Sequence, residues 1–130
     1  MTVAKRAPNI VDSSGWLEYF TDNDRASLFA PAIEDADKLL VPVITLYEVC
    51  KKVLRERGEN AALQIASMMQ TGRVIDLDSA LALEAMHHSL PLAESLIYAT
   101  ALRHGATLWT QDEHFKGLPQ VRFIARNSAS

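Results

Sequence analysis

Four carboxylates fall at positions suited to chemistry. Asp12 ends one short apolar stretch, Asp112 follows another, and Glu48 and Glu94 lie near the starts of helical stretches. If they converge they repel one another, and a hard divalent cation placed among them removes that repulsion. Oxygen donors without a His/Cys cluster favour Mg2+, or Mn2+, over Zn2+. The charge balance fits. Of 16 acidic residues these 4 set aside leave 12 against 13 basic ones, a balance of +1. Lys51, Lys52, Arg55 and Arg57 follow Glu48 on its own helix, so a carboxylate cluster would stand beside a basic face, an arrangement suited to a phosphodiester.

Each acid also has a plainer reading. Asp12 is a favoured helix cap. Thr45-Leu-Tyr-Glu48 and Thr110-Gln-Asp-Glu113 both match a capping box, which would leave Asp112 as a partner of the helix dipole. Glu94 suits a helix N-terminus. Among other side chains, His87 and His88 are adjacent on a helix and do not face one another, which makes a poor chelate. His104 belongs at a helix C-terminus, and His114 reads as a surface residue near enough to the acids to touch phosphate. Cys50 reads as a buried small residue. Trp16, Tyr19 and Phe20 form an aromatic cluster that is read as a protein–protein surface, with core packing and base stacking as the alternatives.

The elements that must position these residues are short. Strands are expected over Asn9–Ser13, Lys38–Pro42, Arg73–Leu77, Ala106–Trp109 and Val121–Ala125. Helices are expected over 14–21, 23–37 with a break or bend at Pro31, 45–57, 60–69, 78–88 capped by Asp78, and 91–104 with Pro91 in its first turn. Leu28, Ala32 and Ile33 mark the apolar side of one helix; Leu46, Val49, Val53 and Leu54 mark that of another. A short helical turn covers 112–116. Apolar strands alternating with helices imply right-handed crossovers and a parallel sheet covered on both faces. Ligands of such sheets bind beyond the strand C-termini at a topological switch point, the edge that helix N-termini share.

Length and composition agree with one domain spanning 1–130, with a core over about 9–125: the chain has 130 residues and is 48% apolar. The formal net charge of −3 argues against coating nucleic acid by bulk charge. A single cysteine forms no internal disulfide and suits a reducing cytoplasm. No apolar run approaches a membrane span and no signal peptide is expected.

The segments Ile10-Val-Asp-Ser-Ser14, Leu46-Tyr-Glu48, Leu90-Pro-Leu-Ala-Glu-Ser-Leu-Ile-Tyr-Ala-Thr-Ala101 and Thr110-Gln-Asp-Glu-His-Phe115 resemble, in order, the PIN-domain ribonucleases, and more narrowly the VapC toxins of bacterial toxin–antitoxin pairs. The third segment is the most specific. The resemblance implies a three-layer α/β/α fold about a parallel sheet of about five strands. It implies Mg2+-dependent hydrolysis of RNA by a metal-activated water, with Asp12, Glu48, Glu94 and Asp112 as metal-site acids, Thr110 as a supporting hydroxyl, and Ser13 and Ser14 as hydrogen-bonding neighbours. It also implies a homodimer and a VapB-like antitoxin partner that fills a groove. One position departs from the pattern: the third acid is usually Asp, and Glu94 reaches one methylene further.

Two other functions fit parts of the chain. One is a PIN-like module that binds RNA or a protein and cleaves weakly, which the Glu94 departure admits. The other is a metal-dependent phosphatase on a similar sheet. Against it, the five glycines are scattered and no GxxxxGK[ST] loop occurs.

Overall fold

The first strand, β1 (Asn9–Val11), pairs in parallel with both β2 (Leu39–Pro42) and β4 (Thr107–Thr110). With β3 (Arg73–Ile75) outside β2 and β5 (Val121–Phe123) outside β4, the sheet runs β3-β2-β1-β4-β5, every pair parallel. The structure, a computed structural model, describes residues 7–21 and 24–126. The sheet bears out the expected α/β class and its five short strands.

Alternation along the strands builds two cores. Val11, Leu39, Val41 and Trp109 face one side, and Ile10, Leu40, Ile75 and Leu108 face the other. On the first side lie α1 (Ser13–Phe20), α2 (Ala26–Ile33), α3 (Val43–Arg57) and α4 (Glu59–Met69). On the second lies α6 (Leu92–His104), backed by α5 (Ser79–Ala85) through Leu81, Ala85 and Ala99. The chain thus winds outward from β1 to β3 with helices on one face, then crosses to β4 with helices on the other. The order reverses between β1 and β4, which is the switch point. No helix among the described residues is long and apolar enough to cross a membrane.

Several local expectations shift. Asp12 caps α1 directly, its Oδ1 accepting from the Gly15 N–H, so the first helix starts one residue early and β1 stops at Val11. Helix 23–37 shortens to α2 and a separate 3-10 turn at Ala36–Lys38, and residues 22–23 lie outside the described residues. Pro31 sits inside α2, exposed, two residues before the helix ends. Phe29, rather than Leu28, is buried beside Ala32 and Ile33; Leu28 is 41% exposed.

α3 begins directly at Val43 after Pro42, not at Thr45, so Glu48 stands in its second turn and the Thr45–Glu48 capping box does not form. Thr45 is fully buried and its hydroxyl has no partner among the described residues. Leu54, expected on the apolar side of this helix, is 51% exposed. Pro91 is the cap of α6 rather than its first residue. Asp78 caps α5 through the Leu81 N–H at 2.8 Å, as expected. Trp16 is fully buried and stacks on Phe20 with ring centroids 5.6 Å apart, so it belongs to the core rather than to a docking surface.

α1 lies unusually close to the sheet because Gly15 has no side chain. A Cβ there would stand 2.6 Å from Val11 Cγ1 and 2.7 Å from Phe29 Cδ1. Both neighbours are fully buried, so neither has room to retreat. Gly15→Ala is therefore expected to cost about 2–3 kcal/mol of stability by overpacking, read as a lowered midpoint in urea denaturation.

Candidate metal centre

The switch point carries Asp12 on one strand end and Thr110 to Asp112 on the neighbouring one. Asp12 N–H donates to the Trp109 carbonyl at 3.1 Å, which extends the β1–β4 ladder by one bond and fixes the Asp12 backbone. Thr110 then ties the two acids together. Its fully buried hydroxyl donates to Asp12 Oδ2 at 2.8 Å and accepts from the Asp112 N–H at 2.9 Å. Ser14 Oγ adds bonds of 2.9 and 3.1 Å to the two Asp12 oxygens. Ser13 Oγ turns the other way and donates to Glu48 Oε1 at 2.6 Å, bringing the α3 acid against the residue that follows Asp12.

The Thr110–Glu113 capping box does not form, and Asp112 is more than a partner of the helix dipole. It is itself the cap of a 3-10 turn, Glu113–Phe115, with Oδ1 accepting from the His114 N–H at 2.9 Å. The turn carries the His114 ring back over the acids: Nδ1 lies 2.8 Å from Asp112 Oδ1 and 3.5 Å from Glu94 Oε2. Glu94 arrives from the other direction, in the first turn of α6. Glu94, Asp112 and His114 each present a ligand atom such that all three lie within 4.8 Å of one another, the one such group among the described residues.

The acids therefore gather in two linked parts. Glu94, Asp112 and His114 form an open group, and Asp12 joins it through Thr110. Glu48 is attached at one remove, through Ser13, and is not in that group. His114 was legible as a neighbour of the acids but not as a member of the group, because a 3-10 turn of three residues is too short for its period to show where the ring points. Cys50 is half-buried on α3 and its thiol pKa is raised by burial. His88 packs edge-on against Tyr98, centroids 5.0 Å apart. His104 ends α6 as expected, but burial and the nearby Arg73 and Arg103 lower its pKa.

The donor set fits a hard divalent cation. It is carboxylate oxygen with one imidazole nitrogen and no thiolate. Among the described residues no lysine or arginine pairs with any of the four acids. Asp12 shows the resulting strain: it is 4% exposed, and burial pushes its carboxyl from 3.8 to about 6, aided by the charge of Asp112 and opposed by the bonds from Thr110, Ser14 and Gly15. A cation at this edge would favour the ionised form.

That shift has a stability consequence whose sign is definite. A carboxyl with a folded pKa above its unfolded one stabilises the fold at low pH, and the contribution is lost as pH rises from about 4 through about 6. Asp12→Asn keeps a capping oxygen and removes the charge. In the absence of divalent ions it is expected to raise unfolding stability by about 1–3 kcal/mol at neutral pH and by much less near pH 4. Paired urea titrations of the two proteins at each pH measure this, and a difference independent of pH would contradict it.

A family model for the PIN domain matches residues 10–120. Among solved structures, the chain is similar to a toxin–antitoxin complex from Klebsiella pneumoniae, at 20% identity over 89% of this chain and 99% of that one, with a TM-score of 0.74. It is also similar to the sarcin-ricin loop cleaving toxin VapC20 of Mycobacterium tuberculosis, at 20% identity over 87% and 98% of the two chains (TM-score 0.65). DNA-bound VapBC from Salmonella typhimurium matches at 13% identity over 92% and 98% (TM-score 0.69). No match was found among curated proteins. With the family model spanning most of the sequence and the same sheet beneath it, this chain belongs to the PIN-domain family.

Proposed function

We propose that the chain is the ribonuclease toxin of a toxin–antitoxin pair, hydrolysing RNA phosphodiester bonds with Mg2+, or Mn2+, held by Asp12, Glu48, Glu94 and Asp112. The observation that carries this reading is the Asp12–Thr110–Asp112 link. It holds two carboxylates at the switch point of the sheet, and among the described residues no lysine or arginine pairs with either. A divalent cation bound there supplies charge neutralisation at the phosphoryl oxygens and a water of lowered pKa.

The chain's own residues do the positioning. Thr110, Ser14 and the Gly15 N–H hold the Asp12 carboxylate so that it needs no reorganisation. In the cation-free protein burial raises the Asp12 carboxyl to about 6, so a cation must displace its proton below that pH, and metal affinity should rise with pH through that range. Ser13 keeps Glu48 turned to the same edge, where it can orient water. Beside Glu48, the cleft formed by Ser13, Leu17, Tyr47, Lys51, Lys52 and Arg55 offers cationic heads for the phosphates flanking the cleaved bond.

For the partner, the similar structures described as toxin–antitoxin complexes supply the class. The α3–α4 groove supplies a place. It is lined by Leu46, Cys50, Leu54, Ala62 and Leu63, with Leu54 51% and Leu63 62% exposed, and it suits the apolar face of an antitoxin helix. A homodimer acting in the cytoplasm completes the proposal. The second reading, a binding module with weak cleavage, is favoured by one contact: Glu94 is the longer acid and lies against His114.

Cleavage of a single-stranded RNA with and without EDTA separates the readings. Asp12→Ala and Asp112→Ala are each expected to lower chelator-sensitive cleavage by about 10²–10⁴-fold, with circular dichroism unchanged. Full activity in the Asp12 variant would sink the scheme, and RNA binding without cleavage in the parent protein would favour the module. Independently, replacing Lys51, Lys52 and Arg55 by alanine should weaken RNA binding. The slope of log affinity against log salt should then flatten by about 0.7 for each phosphate that is no longer neutralised.

A further inference from the structure

The His114 ring has no role in the scheme above, yet its position is determined on both sides. Its own backbone N–H is committed to Asp112 Oδ1, which locks the turn, and Nδ1 faces the acids rather than solvent, 2.8 Å from Asp112 and 3.5 Å from Glu94. Adjacent ligands of an octahedral ion bound at about 2.1 Å lie about 3 Å apart, and the first separation is near that value. We infer that His114 supplies a nitrogen ligand to the cation, through Nδ1, beside Glu94 and Asp112. The inference rests on the reading of the acids as a metal centre and sharpens it from an all-oxygen site to a mixed one.

The 2.8 Å separation of Nδ1 and Asp112 Oδ1 requires a proton between them, since both atoms otherwise present lone pairs. On binding, that proton passes to solvent, the ring carries its one N–H at Nε2, and the Nδ1 lone pair turns to the ion. The longer side chain at Glu94 takes on a purpose in this geometry, because it meets a ligand carried by the turn after β4. A nitrogen donor also changes preference. Imidazole suits Mn2+ and later transition ions better than Mg2+, which favours oxygen and water.

The test uses Mn2+ as the probe, without RNA. Three-pulse electron spin-echo modulation of the Mn2+-loaded protein should show nitrogen-14 coupling that disappears in His114→Ala. His114 is more than half exposed, so that variant is expected to fold, and circular dichroism checks it. Calorimetry should show Mn2+ affinity falling about tenfold or more in the variant while Mg2+ affinity changes less than about threefold. Mn2+ bound to the parent protein without nitrogen coupling, or with coupling that survives His114→Ala, would overturn the inference while leaving the metal centre standing. If neither ion binds the parent protein, the metal centre itself fails and the inference fails with it.

Discussion

A single buried hydroxyl organises the centre. Thr110 Oγ1 joins the ends of β1 and β4 by donating to one acid and accepting from the backbone of the other, so the two carboxylates are located by the same sheet pairing that defines the switch point. The pairing needs Ile10 and Val11 buried on opposite faces, which needs helices on both sides. Those helices bring Glu48 on α3 and Glu94 on α6 to the same edge. Loss of the hydroxyl would leave Asp12 buried with one bond fewer and Asp112 without its backbone anchor, a cost of about 1–3 kcal/mol for the unsatisfied group before any effect on function.

Capping and ligation are often opposed as explanations of an acid at a helix start. Asp12 shows why they are compatible. A carboxylate has about four lone-pair positions. Here Oδ1 takes the Gly15 N–H, Oδ2 takes Thr110, and Ser14 bridges to both at 2.9 and 3.1 Å. One hydroxyl proton satisfies one position at a time, so the carboxylate retains capacity for a cation. Asp112 repeats the arrangement: its Oδ1 caps the 3-10 turn by accepting from the His114 N–H, and the carboxylate keeps further lone-pair positions. Both acids are held by backbone N–H groups that oppose, without cancelling, the cost of crowding negative charge.

The sheet was legible because alternation and apolar content in the strands are strong local signals, and each of Ile10/Val11, Leu40/Val41 and Leu108/Trp109 splits between faces as a period of two demands. Asp12, Glu94 and Asp112 were legible as chain-end acids for the same reason. The start of α3 was not: it follows a proline cap that makes no side-chain bond, and Thr45 offered a false start two residues later, whereas Pro91 and Asp78 marked the starts of α6 and α5 to within a residue. Trp16 was misplaced because an aromatic cluster reads alike as core or as surface until the approach of α1 over Gly15 is known. His114 was legible only as a neighbour, since its contacts depend on a 3-10 turn three residues long.

The centre is asymmetric, and this limits how a polyanion can reach it. Asp12 is sealed beneath α1, whereas Glu94, Asp112 and His114 are partly open, with His114 the most exposed. The basic face of α3 lies on the Glu48 side, and its lysines are engaged only by weak surface partners: Lys51 by the Tyr47 hydroxyl at 3.0 Å, Lys52 by Glu56 at 3.7 Å. Such contacts exchange readily for phosphate. A strand of RNA laid along α3 would therefore meet cations first and the carboxylate edge last, where its phosphate is repelled unless positive charge stands between them. On the proposed reading, cation occupancy and substrate entry would be coupled through electrostatics: the charge that resolves the crowding of the acids would be the same charge that admits the substrate.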